Sequence, residues 1–110
     1  MVKYTPEKGD IVWLDFEPQV GAEINKTRPA IVISQSKYNE KTSLALFLPI
    51  TSKIKNYPFE VKIKTEKIEG VVLSDQIRSL DWNARNVKFI TKVNKNTFEK
   101  IITKLRLLIE

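Results

Sequence analysis

"LALFLPIT", residues 44–51, is apolar at nearly every position, so neither of its sides suits water. It is short and bounded by polar turn residues, which favours a strand. A strand greasy on both faces must be covered on both. "DIVWLDF", residues 10–16, has the same character. In a small chain the second cover must come from the chain's own helix or from another subunit, and a homodimer is expected on that ground.

Outward from these two stretches the pattern repeats. "PAIVIS" at 29–34 reads as a strand entered through Pro29, whose missing N–H suits a strand's beginning or edge. "FEVKIKT" at 59–65 alternates, placing Phe59, Val61 and Ile63 inward and Glu60, Lys62 and Lys64 outward. "GVVLSDQIRSLDW" at 70–82 reads as a strand bent near Ser74 or Asp75, and "VKFITKV" at 87–93 closes the set. A helical turn around "QSKYNEKT" is a weaker signal. One helix is expected over 96–110, where Phe98, Ile101, Ile102, Leu105, Leu108 and Ile109 recur at helical spacing. Asn96 with Glu99 three residues on resembles a capping box. Short strands with a terminal helix predict a mainly β, strongly curved sheet or partly closed small barrel.

The totals narrow the chemistry. At 110 residues the chain is one domain, 1–110, and 42% hydrophobic with 29% charged residues is ordinary for a globular protein. Nineteen Lys and Arg against thirteen Asp and Glu leave +6, which suits an anionic partner such as nucleic acid or an acidic protein. There is no Cys and no His, so disulfides, thiolate metal sites and the commonest general base are excluded. The opening "MVKYTPEKGD" has no long apolar run; neither a signal peptide nor a membrane helix is expected, and the cytoplasm is the expected compartment.

Between the first two strands lies "EPQVGAEINKT", residues 17–27, long for a hairpin connection. It ends at Arg28, which Pro29 restricts to extended backbone. A pre-ordered guanidinium is suited to a carboxylate or a phosphate. From the residues alone, two readings stay open: Arg28 pairs with Glu23 or Glu17 at the surface, or it serves chemistry on a phosphate.

"GDIVWLDF", "GAEINKTRPAIVIS", "YNEKT", "LPITS", "YPFEV" and "GVVLSDQIRSLDWNAR" occur in an order and spacing that resemble the MazF/PemK toxin endoribonucleases of bacterial toxin–antitoxin pairs. The likeness runs from about Tyr4 into the final helix. It implies a homodimer of SH3-like barrels that cuts single-stranded RNA with no metal or other cofactor, held silent by an acidic antitoxin. The family's "RP" arginine falls on Arg28, its loop glutamate on Glu23 and its strand-end threonine on Thr51, with Ser52 as the neighbouring hydroxyl. Of these, Glu23 could equally be a solvated loop acid and Thr51 a plain strand former.

The resemblance further assigns RNA contact to Gln76, Arg78 and Arg85. Lys26, Lys53 and Lys55 lie in predicted loops beside the site and suit phosphate neutralisation, while Phe16 and Tyr57 suit stacking on unpaired bases. Trp13 and Trp82 are assigned to core or dimer packing, and Lys95, Lys100 and Lys104 to a solvated helix face. An alternative of another class is a non-catalytic CcdB-like toxin that poisons DNA gyrase. Such relatives use a tryptophan-bearing C-terminal tail, whereas this chain has no Trp after Trp82.

Overall fold

A computed structural model describes residues 3–16 and 27–110. The elements run β1 (Asp10–Asp15), β2 (Thr27–Val32), α1 (Ser36–Thr42), β3 (Leu44–Thr51), β4 (Glu60–Lys64), β5 (Glu69–Leu73), β6 (Arg78–Asp81), β7 (Lys88–Lys92) and α2 (Lys95–Ile109). The mainly β class holds, and the stretch expected to bend near Ser74 breaks there into β5 and β6. Both flank β3 on one side, pairing Thr51 with Val71 and Phe47 with Arg78, while β2 flanks it on the other. The sheet order β4-β5-β3-β2-β1-β7 leaves β4 and β7 as unpaired ends, so the curled sheet stops short of a closed barrel.

The doubly apolar strands receive two covers from this chain itself. On one face of the sheet, Ile11, Ile31, Leu48 and Ile50 pack with Val61, Ile63 and Val72 of the curled-over strands and with Ile101 of α2. On the other, Val12, Leu14, Phe16, Ala30, Val32, Ala45 and Phe47 pack with Trp82, and Tyr4, Leu80 and Val87 lie against them. Alternation at period two assigns these sets, since residues of one parity share a face. Greasy strands therefore require no second subunit here. The apolar side chains left exposed include Trp13 within β1 and, away from the strands, Leu107, Leu108 and Ile109 at the end of α2. Trp82 is buried in the core, and Trp13 is 39% exposed on a single chain, which fits the dimer-packing half of its expectation rather than the core half.

A buried polar knot ties the second cover down. Asn39 of α1 is fully buried; its Nδ2 donates to the carbonyls of Pro6 and Ser34, and its Oδ1 accepts from Ser34 Oγ. Its own carbonyl accepts from the Trp82 indole at 3.0 Å. Every polar atom in that set is paired, which is what makes its burial tolerable.

α2 is capped two residues before the expected position. Asn94, in extended conformation, accepts from the Thr97 N–H at 2.8 Å, and Asn96 lies inside the first turn. The earlier start puts Val93 just before the cap and Phe98 at the fourth helical position. Both pack in the same core cluster, in the positions of a hydrophobic staple.

Candidate active site

β1, β2, β3 and β6 each bring one side chain of the second face to a common end of the sheet. On β1 the residues of that face are Val12 and Leu14, and Phe16 follows at the strand's exit. On β2 they are Val32 and Ala30, then Arg28; on β3, Ala45 and Phe47, then Pro49 and Thr51. Ala30 lies opposite Pro49, Ile31 opposite Leu48 and Val32 opposite Phe47. Carried two residues further, that register sets Arg28 across from Thr51. Pro29 has no N–H to give, and the observed ladder between β2 and β3 begins just after it.

The result is a cavity of about 460 Å³ whose lining includes Phe16, Arg28, Thr51, Lys53, Lys55, Tyr57, Glu60, Asp75, Gln76 and Arg78. Phe16 lines it but is only 6% exposed, less open than stacking on an unpaired base favours. Instead the Arg78 guanidinium sits 5.7 Å from the Phe16 ring centroid, a cation–π contact that orients a cavity-wall cation. Arg28 is exposed, and among the described residues it makes no ion pair. Thr51 Oγ1 accepts the Lys53 N–H at 3.2 Å. A hydroxyl that accepts there keeps its own proton for another acceptor.

Two carboxylates belong to the same wall, and both are occupied. Glu60 accepts from the N–H groups of Lys55 and Asn56, each at 2.9 Å. Asp75 accepts from the Tyr57 hydroxyl at 2.6 Å. Partial burial and then the Asp75 carboxylate push the Tyr57 phenol up to about 12, so it stays a donor at neutral pH. The wall thus presents Arg28, Arg78, Lys53 and Lys55 as its charged groups not paired with a described carboxylate.

Other expected residues fall elsewhere. Glu23 and Lys26 lie outside the described residues. Ser52 is exposed and does not line the cavity. Arg85, expected at the RNA, is not among the residues lining the cavity; it reaches under the end of β1 and donates to the carbonyls of Asp15 and Phe16. Beside it, Asp15 accepts from Thr27 Oγ1 at 2.8 Å and from Asn86 Nδ2 at 2.9 Å. These bonds, helped by Lys88 and Arg85, hold the Asp15 carboxyl below the usual carboxylate range. Lys104 also departs from the solvated reading, its ammonium donating to the Pro58 carbonyl.

One contributor carries no functional group. A Cβ on Gly70 would lie 2.5 Å from the Thr51 carbonyl oxygen. Only glycine lets β5 approach the strand end that bears Thr51, and "EGVVL" signals this only as a glycine inside a strand.

The family described as "PemK-like, MazF-like toxin of type II toxin-antitoxin system" matches residues 7–109. The chain belongs to this family. The MazF endoribonuclease toxin of Escherichia coli K12 is 39% identical over 107 residues, spanning 97% of this chain and 96% of that one. The ChpB endoribonuclease toxin of the same strain is 34% identical, spanning 94% of each. Among solved structures, MazF from Deinococcus radiodurans superimposes with a TM-score of 0.87 at 40% identity, covering 97% of this chain and 98% of that one. A MazE-MazF structure from the same organism also gives 0.87, at 36% identity and 97% coverage of both. These PemK/MazF relatives are named as endoribonucleases, and the gyrase-poison alternative gains nothing from them.

Proposed function

We propose that the protein is the toxin of a type II toxin–antitoxin pair and an endoribonuclease that cuts single-stranded RNA without metal. The observation that carries the reading is the convergence of Arg28, Thr51, Lys53, Gln76 and Arg78 on one cavity, in a chain of the family whose relatives are named endoribonucleases. The ribose 2′-OH attacks the adjacent phosphorus, the bond to the 5′ oxygen breaks, and the products are a 2′,3′-cyclic phosphate and a 5′-OH. Negative charge grows on the non-bridging oxygens as this happens. The planar fork of Arg28 is matched to those oxygens, and the Thr51 hydroxyl, already accepting from Lys53 N–H, donates its proton to one of them. Lys53 and Arg78 neutralise flanking phosphates, and Gln76 can meet a base edge.

The 2′ proton needs an acceptor, and the departing 5′ oxygen takes up a proton in exchange, from that acceptor or from water, to leave as the 5′-OH. With Glu60 and Asp75 engaged by backbone and phenol, Glu23 remains the carboxylate assigned to it by resemblance. No helix among the described residues is long and apolar enough to cross a membrane, and the cytoplasm is the compartment this reading implies for an RNA-cleaving toxin. The partner is an acidic antitoxin, drawn by the same cations that draw RNA, as the MazE-MazF neighbour suggests; it should displace an oligonucleotide from the cavity. The working form is a homodimer, for which the exposed Leu107, Leu108 and Ile109 supply apolar surface.

The test is incubation with a long single-stranded RNA in excess EDTA, followed by mapping of the new ends. Cleavage that persists and leaves 5′-OH ends is expected. Intact RNA at micromolar protein, or cleavage abolished by the chelator, would refute the assignment.

A further inference from the structure

The segment joining β3 to β4, residues 52–59, has no regular structure, yet it is fixed at several points. Thr51 Oγ1 holds the N–H of Lys53. Glu60 uses one carboxylate oxygen on the N–H of Lys55 and the other on that of Asn56. Asn56 has a positive φ of 60°, the turn that aims the two amides at one carboxylate. Tyr57 then ties the segment to Asp75, and the Phe59 carbonyl accepts from Ser74 N–H at 3.0 Å.

The disposition of charge is the informative part. Glu60 lines the same cavity as Lys53 and Lys55 and has the charge to quench either. It pairs with neither ammonium; both its oxygens go to backbone N–H groups. A carboxylate on backbone amides makes strong, short-reach bonds while leaving neighbouring cations their full charge. The alternation expected from "FEVKIKT" put Glu60 outward as a solvated residue, but the side chain is half-buried against this segment.

We infer that Glu60 is a positioning residue, which holds the 52–57 segment as a cationic arm and sets how tightly the cavity grips the backbone of a single-stranded nucleic acid. The inference deepens the nuclease reading and rests on it for the identity of the ligand. Glu60 touches no substrate; it acts through Lys53 and Lys55. Loss of one of its acceptors frees the arm, and gripping each phosphate then costs the ordering of a lysine that was pre-ordered before.

The test is a double-mutant cycle on binding of a 2′-deoxy oligonucleotide, which has no nucleophile and so reports grip apart from cleavage. Glu60→Gln keeps the length of the side chain but offers one acceptor where two amides need two. In the otherwise native chain it should weaken binding roughly tenfold and lower the log–log salt slope by about 0.7 for each phosphate that a lysine no longer neutralises. In a Lys53→Ala/Lys55→Ala background the same change should alter affinity by less than about twofold, because the groups it positions are gone. Hydrogen exchange should show Lys55 and Asn56 amides protected in the parent and fast in Glu60→Gln. Tyr57→Phe, which removes only the far tether, should give a smaller loss with the same background dependence.

An equal loss in both backgrounds would mean general damage to the fold and would overturn the inference. So would unchanged affinity with the two amides exposed. Failure of the parent to bind the oligonucleotide overturns it too. A parent that binds the oligonucleotide but cleaves no RNA refutes the nuclease reading and leaves the cycle readable.

Discussion

Arg28 is held by its neighbours on both sides of the chain: Pro29 restricts its backbone, and β1 pairs with it through Leu14. What that fixed origin serves is a fork, two parallel donors on one planar group. Arg28→Lys keeps the charge and loses the fork, so kcat/KM for RNA cleavage should fall about 10²–10³-fold with melting behaviour unchanged. Cleavage within about threefold of the parent would show that point charge suffices. At this scale the sequence announced only part of the site. Thr51 was reached through the family resemblance alone, whereas Arg28 beside its proline and Lys53 in a predicted loop were legible from local rules. Arg85 was not, because its partners are the Asp15 and Phe16 carbonyls some 70 residues away in sequence. No local pattern announces a guanidinium folded back under another strand. Phe16 shows the opposite limit: a residue at a strand mouth looks available, and only the structure gives its exposure, 6%.

At the scale of elements, the strands were legible because hydrophobic alternation is read directly as facing, and β3 matches its expected bounds of 44–51. Helix α2 was legible in its body and displaced by two residues at its start. Two asparagines compete there, and the winner, Asn94, is the one that lets Val93 and Phe98 enter the core. The break between β5 and β6 carries more than a bend. It lets one run of chain serve two parts of β3, with Gly70 near one end against Thr51 and Arg78 at the other beside Phe47. Gly70→Ala must therefore move the strand end that bears Thr51. Denaturant melts should show a loss of about 1–3 kcal/mol, the usual cost of forcing atoms into a packed site. Cleavage per folded molecule should fall as well. A variant as stable and active as its parent would mean that β5 yields without disturbing Thr51.

For the whole molecule, both faces of the sheet are covered by the chain, and the expectation of a dimer from greasy strands loses its original argument. The exposed apolar end of α2 replaces it. Sedimentation equilibrium at micromolar concentration should give a mass twice 12.8 kDa; a monomer under those conditions would refute the homodimer. The net charge of +6 was visible from composition, but its placement was not. Composition cannot say that Glu60 and Asp75 line the basic cavity, with both oxygens of Glu60 and one of Asp75 bonded to an arm of that cavity.

The bonds at the foot of the β1–β2 hairpin have an evolutionary consequence. Asp15 and Thr27 are joined side chain to side chain, Asp15 is held again by Asn86, and Arg85 grips the two carbonyls at the exit of β1. Departure and return points for residues 17–26 are therefore soldered together, independent of what lies between them. Doubling the length of a span closed in this way costs only about 0.6 kcal/mol in chain entropy. Descendants of this gene are free to lengthen or shorten that span, provided the carboxylate assigned to Glu23 is kept, while Arg28 keeps its address.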